Sequence, residues 1–280
     1  MLSSFAMRHL KFSFFLFIFV IFPLSVNSEE SKFNFWGNKE VFALSPVTDG
    51  ILLGTGVLLS GGDLILDNVL ELNRQEYDDR FFDKNDVNSL DRKFMHSYSK
   101  NRDKAADFLL VATMATPAVL VSCEREEWLT CGVMYAETLL ISNGIKELIK
   151  LGVNRTRPYM YYDSETYPED DVKDGDWANS FPSGHSTMAF ASATFASYTF
   201  CKYFPESSWR YPVVAGSYAM AAGVAALRLS SGNHFFTDVA AGALIGSSVG
   251  FLTPWLHTFN AKNDLNVVLL PNGVSFKLKV

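Results

Sequence analysis

The sequence predicts an all-α protein, a six-helix bundle with a short C-terminal β-hairpin, from three observations. Six long apolar stretches rich in Ala, Leu, Met and Phe recur between polar connectors, small residues recur within them, and strict alternation is confined to the tail. Runs of that length read as helices, and small residues let helices approach closely.

The elements follow in order. Residues 1–28 hold Arg8 and Lys11, an apolar run from Phe12 to Val26, and Val26-Asn27-Ser28 before Glu29 and Glu30. A basic start, a short apolar core and small residues before a charged break make a secretory signal peptide. The alternative is an N-terminal anchor, although the run is shorter than the about 20 residues that span a bilayer. A helical domain is expected over 29–262. Its stretches are Gly50–Leu70, Ala105–Cys123, Trp128–Leu151, Ser183–Tyr203, Tyr211–Leu229 and His234–Leu256, with Gly223, Gly242, Gly246, Ser247 and Ser248 as small contact residues. The charged connector Glu71–Lys104 carries Phe81, Phe82, Leu90, Phe94 and Met95, which suggest short amphipathic pieces lying on the bundle. Residues 159–178 hold seven acids (Asp163, Glu165, Glu169, Asp170, Asp171, Asp174 and Asp176) against Lys173, and read as a solvated lid. A sharper reading makes this lid a selector of substrate head groups. In the tail, 263–280, Leu265–Leu270 leads through Pro271-Asn272-Gly273 into the alternating Val274, Phe276, Leu278 and Val280, a strand, turn, strand pattern.

Composition narrows the classes. A chain of 280 residues with 48% hydrophobic and 19% charged residues is neither disordered nor fibrous. A net charge of −6 argues against nucleic acid as a partner and confines any anion site to a local basic cluster. Three cysteines (Cys123, Cys131 and Cys201) are too few for a disulfide framework and read as buried free thiols, with one bridge between Cys123 and Cys131 as the alternative. The mean hydropathy of +0.09 leaves the surrounding solvent open.

The chemistry gathers around two histidines. His185 closes Pro182-Ser183-Gly184-His185, where Ser183 can cap a helix whose first amides can face an anion. His234 precedes Asp238 by one helical turn, so an acid can orient the imidazole and support positive charge on it. Lys150 ends the third stretch, Arg157-Pro158 follows it, and Arg228 ends the fifth. In an antiparallel bundle these segments share one end. Connectivity alone therefore brings Lys150, Arg157, Ser183, His185, Arg228, His234 and Asp238 together as a pocket for a tetrahedral oxyanion. Arg155 in the same segment reads either as solvated or as touching substrate. His96 and His257 have no motif around them and read as structural. Asn154-Arg155-Thr156 matches a glycosylation acceptor, but lies inside the basic motif and reads as coincidence.

Three spaced motifs carry a family resemblance: Lys150 with Arg157-Pro158, Pro182-Ser183-Gly184-His185, and Arg228 with His234 and Asp238. Over roughly residues 45–258 the chain resembles the type 2 phosphatidic acid phosphatase superfamily, which includes bacterial acid phosphatases and vanadium haloperoxidases. The family usually has Ser before the third-motif arginine, where this chain has Leu227. The resemblance implies a metal-independent phosphomonoesterase acting on a lipid phosphate or a small phosphomonoester. His234 would be the nucleophile forming a phosphohistidine, with Asp238 orienting it and His185 protonating the leaving alkoxide. Lys150, Arg157, Arg228, Ser183 and the Gly184 amide would bind phosphate. No cofactor and no metal ligand are expected, since no carboxylate cluster shows metal-ligand spacing. Alternatives on this fold are a phosphotransferase and a vanadate-dependent haloperoxidase; a noncatalytic binder of phosphate head groups is the alternative of another class. If all six stretches crossed a membrane, the site would lie in the cytoplasm, whereas in integral members of the family it faces outside. Gly61-Gly62-Asp63 and Asp67 interrupt the first stretch, and acids in lipid are costly. Charge-free runs such as Tyr211–Leu227 and Thr187–Cys201 are also short for a span, so the bundle need not cross at all. An extracytoplasmic site in the cell envelope is therefore expected, with a membrane-bound form favoured over a soluble periplasmic or lumenal one.

Overall fold

A computed structural model describes residues 37–68, 75–78, 80–261, 265–270 and 273–278. The expected signal segment lies outside the described residues. Helix α1 (Pro46–Asn68) begins with proline at its first position, and the Asp49 carboxylate accepts from the Ser45 amide at 2.9 Å. Both features suit a helix start, where free amides need acceptors and proline sacrifices no bond. Helix α2 (Ser89–Arg92) is capped by the Asn88 side chain, which accepts from the amides of Leu90 and Asp91. There follow α3 (Lys100–Met114), continued by a 3-10 segment Thr116–Ser122, and α4 (Trp128–Gly152). The short α5 (Glu169–Lys173) precedes α6 (Gly184–Tyr203), α7 (Arg210–Ser230) and α8 (Phe236–Ala261). Strands β1 (Leu265–Leu270) and β2 (Gly273–Leu278) pair antiparallel, with Leu265 opposite Leu278.

The described residues thus contain eight α-helices, where the apolar pattern predicts six. The six long ones occupy the six apolar stretches. The extra pair, α2 and α5, have only four and five residues, too few for hydrophobic periodicity to register. The acidic segment is also more than a solvated lid. Tyr159, Met160, Trp177 and Ala178 are buried in one cluster, with Tyr77, Phe82, Tyr98, Tyr161, Tyr167 and Val172 packed against it. Aromatic burial on this scale anchors the segment, and its acids occupy the outer surface or pair with arginine.

Helix α6 is the central element, packed against α8, α7, α4 and α3. Its Ala, Ser and Thr residues suit that position, with Ala189, Ala191, Ala193 and Ala196 fully buried. The closest approach is to α8, along a stripe of glycines four residues apart. A Cβ built on Gly242 would lie 2.5 Å from the Ser183 carbonyl oxygen, one on Gly246 2.1 Å from that of Thr187, and one on Gly250 2.4 Å from that of Ala191. These are contacts with backbone, which has no rotamer by which to yield. The Gly246→Ala protein is therefore expected to lose stability, by about 1–3 kcal/mol or more, read as a lower denaturant midpoint. A midpoint equal to wild type would show that the two helices separate freely.

Among the described residues, Lys100–Ser122, Arg210–Ser230 and Phe236–Phe259 are long and apolar enough to cross a membrane. Large apolar side chains stand exposed on all three segments, Phe108 on α3, Tyr211 on α7 and Leu244 on α8 among them.

Candidate active site

The end of α4, the starts of α6 and α8 and the end of α7 meet at one end of the bundle. Lys150, in the last turn of α4, lies 3.7 Å from the Glu147 carboxylate, which also pairs with Lys146. The stem of Lys146 passes over Gly184, where a Cβ would stand 3.3 Å from its Cδ and Cε atoms. Glycine at the start of α6 thus lets a second lysine lie across the helix terminus. Sequence reading misses Lys146, although it precedes Lys150 by one turn and shares its face.

Arg157 is buried and aimed by its neighbours. Its Nε donates to the Asp176 carbonyl at 2.8 Å, Nη2 to the Asp176 carboxylate at 2.7 Å, and Nη1 to the Asn233 carbonyl at 3.3 Å. The acidic segment therefore contributes directly to placing this cation. Arg228, also buried, donates through Nη1 to Asp103, whose carboxylate further accepts from Asn233 Nδ2 at 2.9 Å and from the Tyr98 hydroxyl at 3.2 Å. The Nε of Arg228 is buried with no hydrogen-bond partner among the described residues. A buried guanidinium donor without an acceptor is costly, and an anion in the pocket would satisfy it.

His234 lies in the turn between α7 and α8 and is almost fully buried. Its Nδ1 is 2.7 Å from the Ser180 carbonyl oxygen. A carbonyl only accepts, so Nδ1 carries the proton and Nε2 presents a lone pair in the neutral ring. Asp238, expected to orient this imidazole, stands 3.8 Å from Nδ1. It acts one bond away: its Oδ2 accepts from the Ser180 hydroxyl at 2.5 Å and from the Phe235 amide at 2.8 Å. Asp238 thus fixes the residue that holds the histidine. The α8 helix is coupled to the start of α6 as well, since the Ser183 amide donates to the Asp238 carbonyl at 3.0 Å. Ser183 caps α6 as expected, its hydroxyl accepting from the Ser186 amide.

Arg155 is held in ion pairs. Its guanidinium joins Asp238 through Nη1 and Asp91 through Nη2, the latter at 2.7 Å, and stacks 4.2 Å above the Phe235 ring. Asp91 also accepts from the Thr237 amide at 2.9 Å and from Asn88 Nδ2 at 2.6 Å. Helix α2, the start of α8 and the loop after α4 are tied together through this one side chain.

His185, in the first turn of α6, places Nε2 2.7 Å from the Asp107 carboxylate. Asp103 and Asp107, one turn apart on α3, thus hold Arg228 and His185 respectively. Sequence reading passes over both, because it places the start of the apolar stretch between them. Their four-residue spacing on one helix face was the available signal.

The electrostatics confirm that these groups share one space. Burial, then the charges of Arg157, Arg228 and Lys150 and the neighbouring His185, hold the His234 imidazole well below its usual value of 6.5. Burial and Arg228 bring His185 down to about 4, against the opposing pull of Asp107. All the expected residues are therefore gathered: Lys150, Arg157, Arg228, His185, His234 and Asp238 by contact or charge, and Ser183 and Gly184 at the helix start beside them.

Fold and site together define a helical protein with three cations and two imidazoles gathered at one end of the bundle. Residues 132–262, which contain all three motifs, match the model of the PAP2 superfamily. Over 105 residues it is 34% identical to the lipid A 1-phosphatase of Porphyromonas gingivalis, covering 38% of this chain and 21% of that protein. Over 121 residues it is 31% identical to a PA-phosphatase related-family protein of Dictyostelium discoideum, covering 41% of this chain and 44% of that one. The chain thus spans less than half the length of either relative. A transmembrane PAP2-type phosphatidylglycerolphosphate phosphatase from Bacillus subtilis superposes with a TM-score of 0.45 and 17% identity, over 75% of this chain and 94% of that one.

Proposed function

We propose that the protein is a phosphatase of lipid phosphates or related phosphomonoesters, working through a phosphohistidine at His234. One observation carries the reading: an imidazole with its Nδ1 proton fixed on the Ser180 carbonyl lies among three cations. The two relatives, a lipid A 1-phosphatase and a PA-phosphatase related protein, support the same class.

In this mechanism the Nε2 lone pair attacks phosphorus, an N–P bond forms and the ester P–O bond breaks. His185 gives its proton to the departing alkoxide, and water then attacks the phosphohistidine to release inorganic phosphate and restore His234. Lys150, Arg157, Arg228, Ser183 and the Gly184 amide hold the non-bridging oxygens and stabilise charge in the in-line transition state. These groups supply the positive charge that the reaction needs, so turnover requires no metal ion. In the free protein the low affinity of His185 for protons comes from burial and from Arg228. A bound phosphate offsets that charge, and Asp107 stabilises the imidazolium that donates the proton.

The environment is a membrane of the cell envelope, with the pocket facing away from the cytoplasm. The three apolar segments and the exposed Phe108 and Leu244 support a membrane setting. An anchored phosphate would reach the pocket from the bilayer surface.

The test is release of inorganic phosphate by the purified full chain from a panel of lipid and water-soluble phosphomonoesters, with chelator present. Turnover of a lipid phosphate under chelation is expected; no release from any member of the panel would leave only a phosphate-binding protein. The pH profile adds a check. Because His234 is depressed well below 6.5, the nucleophile stays unprotonated as pH falls through that value. The acid limb of kcat/KM, corrected for substrate ionisation, is therefore expected below pH 6.5. A limb at or above 6.5 would show that the cations do not act on the nucleophile.

A further inference from the structure

A second constellation lies away from the oxyanion pocket. Asp49 in the first turn of α1, Glu137 in α4 and His257 near the end of α8 bring one ligand atom each to within 4.8 Å of one another. His257 and Glu137 are fully buried, and Asp49 is partly buried. His257 and Asp238 are 19 residues apart on one helix, a separation of roughly 28 Å at 1.5 Å per residue. This cluster is therefore not part of the phosphate site.

The hydrogen bonds decide what it can do. His257 Nδ1 lies 2.8 Å from the Thr253 carbonyl oxygen, so Nδ1 carries the proton and Nε2 turns a lone pair inward. That lone pair faces two carboxylate oxygens, Asp49 Oδ1 at 3.0 Å and Glu137 Oε2 at 3.3 Å. The other Asp49 oxygen is held by the Ser45 amide. Neither oxygen of Glu137 has a hydrogen-bond partner among the described residues, in a side chain with no exposed surface. Three electron-rich atoms converging in a buried space repel one another unless a proton or a metal ion sits between them. An imidazole fixed by a backbone carbonyl on its far nitrogen is the usual support for a metal-bound histidine. A divalent ion would also cancel both carboxylate charges, and one nitrogen with two oxygens suits a first-row transition metal better than calcium or magnesium.

We infer that Asp49, Glu137 and His257 form a structural site for a divalent transition-metal ion of the zinc type, pinning α1 to α4 and α8. Spacing along the chain hides it, since the three ligands come from residues 49, 137 and 257. The site takes no part in phosphate release, so it is compatible with turnover in chelator and stands or falls separately from the phosphatase reading.

The test uses the full-length protein, stripped with chelator, desalted and titrated with Zn²⁺. Bound zinc is counted by elemental analysis and the unfolding midpoint is followed. Wild type is expected to retain one equivalent and to unfold at a higher temperature with zinc than without. Glu137→Gln and Asp49→Asn, which keep side-chain shape, are expected to weaken zinc by about 100-fold or more and to lose the midpoint shift. His234→Ala, altered only at the phosphate site, should keep both. Should wild type retain no zinc, or should Glu137→Gln retain the same equivalent with the same shift, the metal site is refuted. In that event His257 is a buried imidazolium shared by two carboxylates.

Discussion

Replacing His234 with alanine is expected to lower phosphate release on the order of 10⁴-fold or more, the scale seen when a covalent nucleophile is removed. The loss should fall on kcat. Arg157 and Arg228 keep their own supports in Asp176, Asn233 and Asp103, none of which depends on the imidazole. Phosphate should accordingly bind the variant with an affinity close to that of wild type. The substitution also leaves a cavity at a buried position and strands the Ser180 carbonyl, a further cost of about 1–3 kcal/mol in stability. A far smaller loss of turnover, in a protein shown by its denaturation profile to be folded, would exclude the phosphohistidine and move the search to another nucleophile.

The second large effect is structural. Arg155→Met is expected to destabilise the protein by about 3–5 kcal/mol, the cost of stranding buried charge. Its two partners, Asp91 and Asp238, have no exposed side-chain surface. Burial pushes the Asp91 carboxyl upward, but Arg155, the Thr237 amide and Asn88 outweigh burial and hold it below its usual 3.8. The wild-type contribution is thus present at neutral pH and lost as pH falls through the depressed value. Without Arg155 the carboxyl rises and takes up a proton more readily. The stability gap between variant and wild type should then narrow as the medium is acidified. Denaturant unfolding at neutral and acid pH measures both the size and the slope. A gap under 1 kcal/mol at neutral pH would show that water reaches these acids. Lysine at this position should recover only part of the loss, since a single ammonium cannot span two carboxylates as a planar guanidinium does.

Much of the site could be read along the chain because its parts repeat at helix ends. Lys150, Arg157, Arg228, His185 and His234 are cations and imidazoles at alternate flanks of the apolar runs, and alternation of helix direction brings those flanks to one end. The supporting acids were not legible. Asp103 and Asp107 straddle the start of an apolar stretch, which drew attention away from their shared helix face, and Asp176 sits among many other acids in a polar segment, where sequence offers no reason to prefer one over its neighbours. Arg155 was legible as a cation, but its partners were not. What it touches depends on Asp91, 64 residues earlier, and Asp238, 83 residues later.

By itself the sequence determined the six long helices, the capped start of α6, and which residues converge, because periodicity, capping and connectivity are properties of neighbours along the chain. Tertiary structure alone decided that the Ser180 carbonyl rather than Asp238 fixes the His234 tautomer, and that Gly242, Gly246 and Gly250 let α8 press on the backbone of α6. It also decided that Asp49, Glu137 and His257 meet. Each of these depends on distances between residues far apart in the chain. Buried polar groups must find partners wherever packing happens to place them, and packing is settled only when the helices have docked.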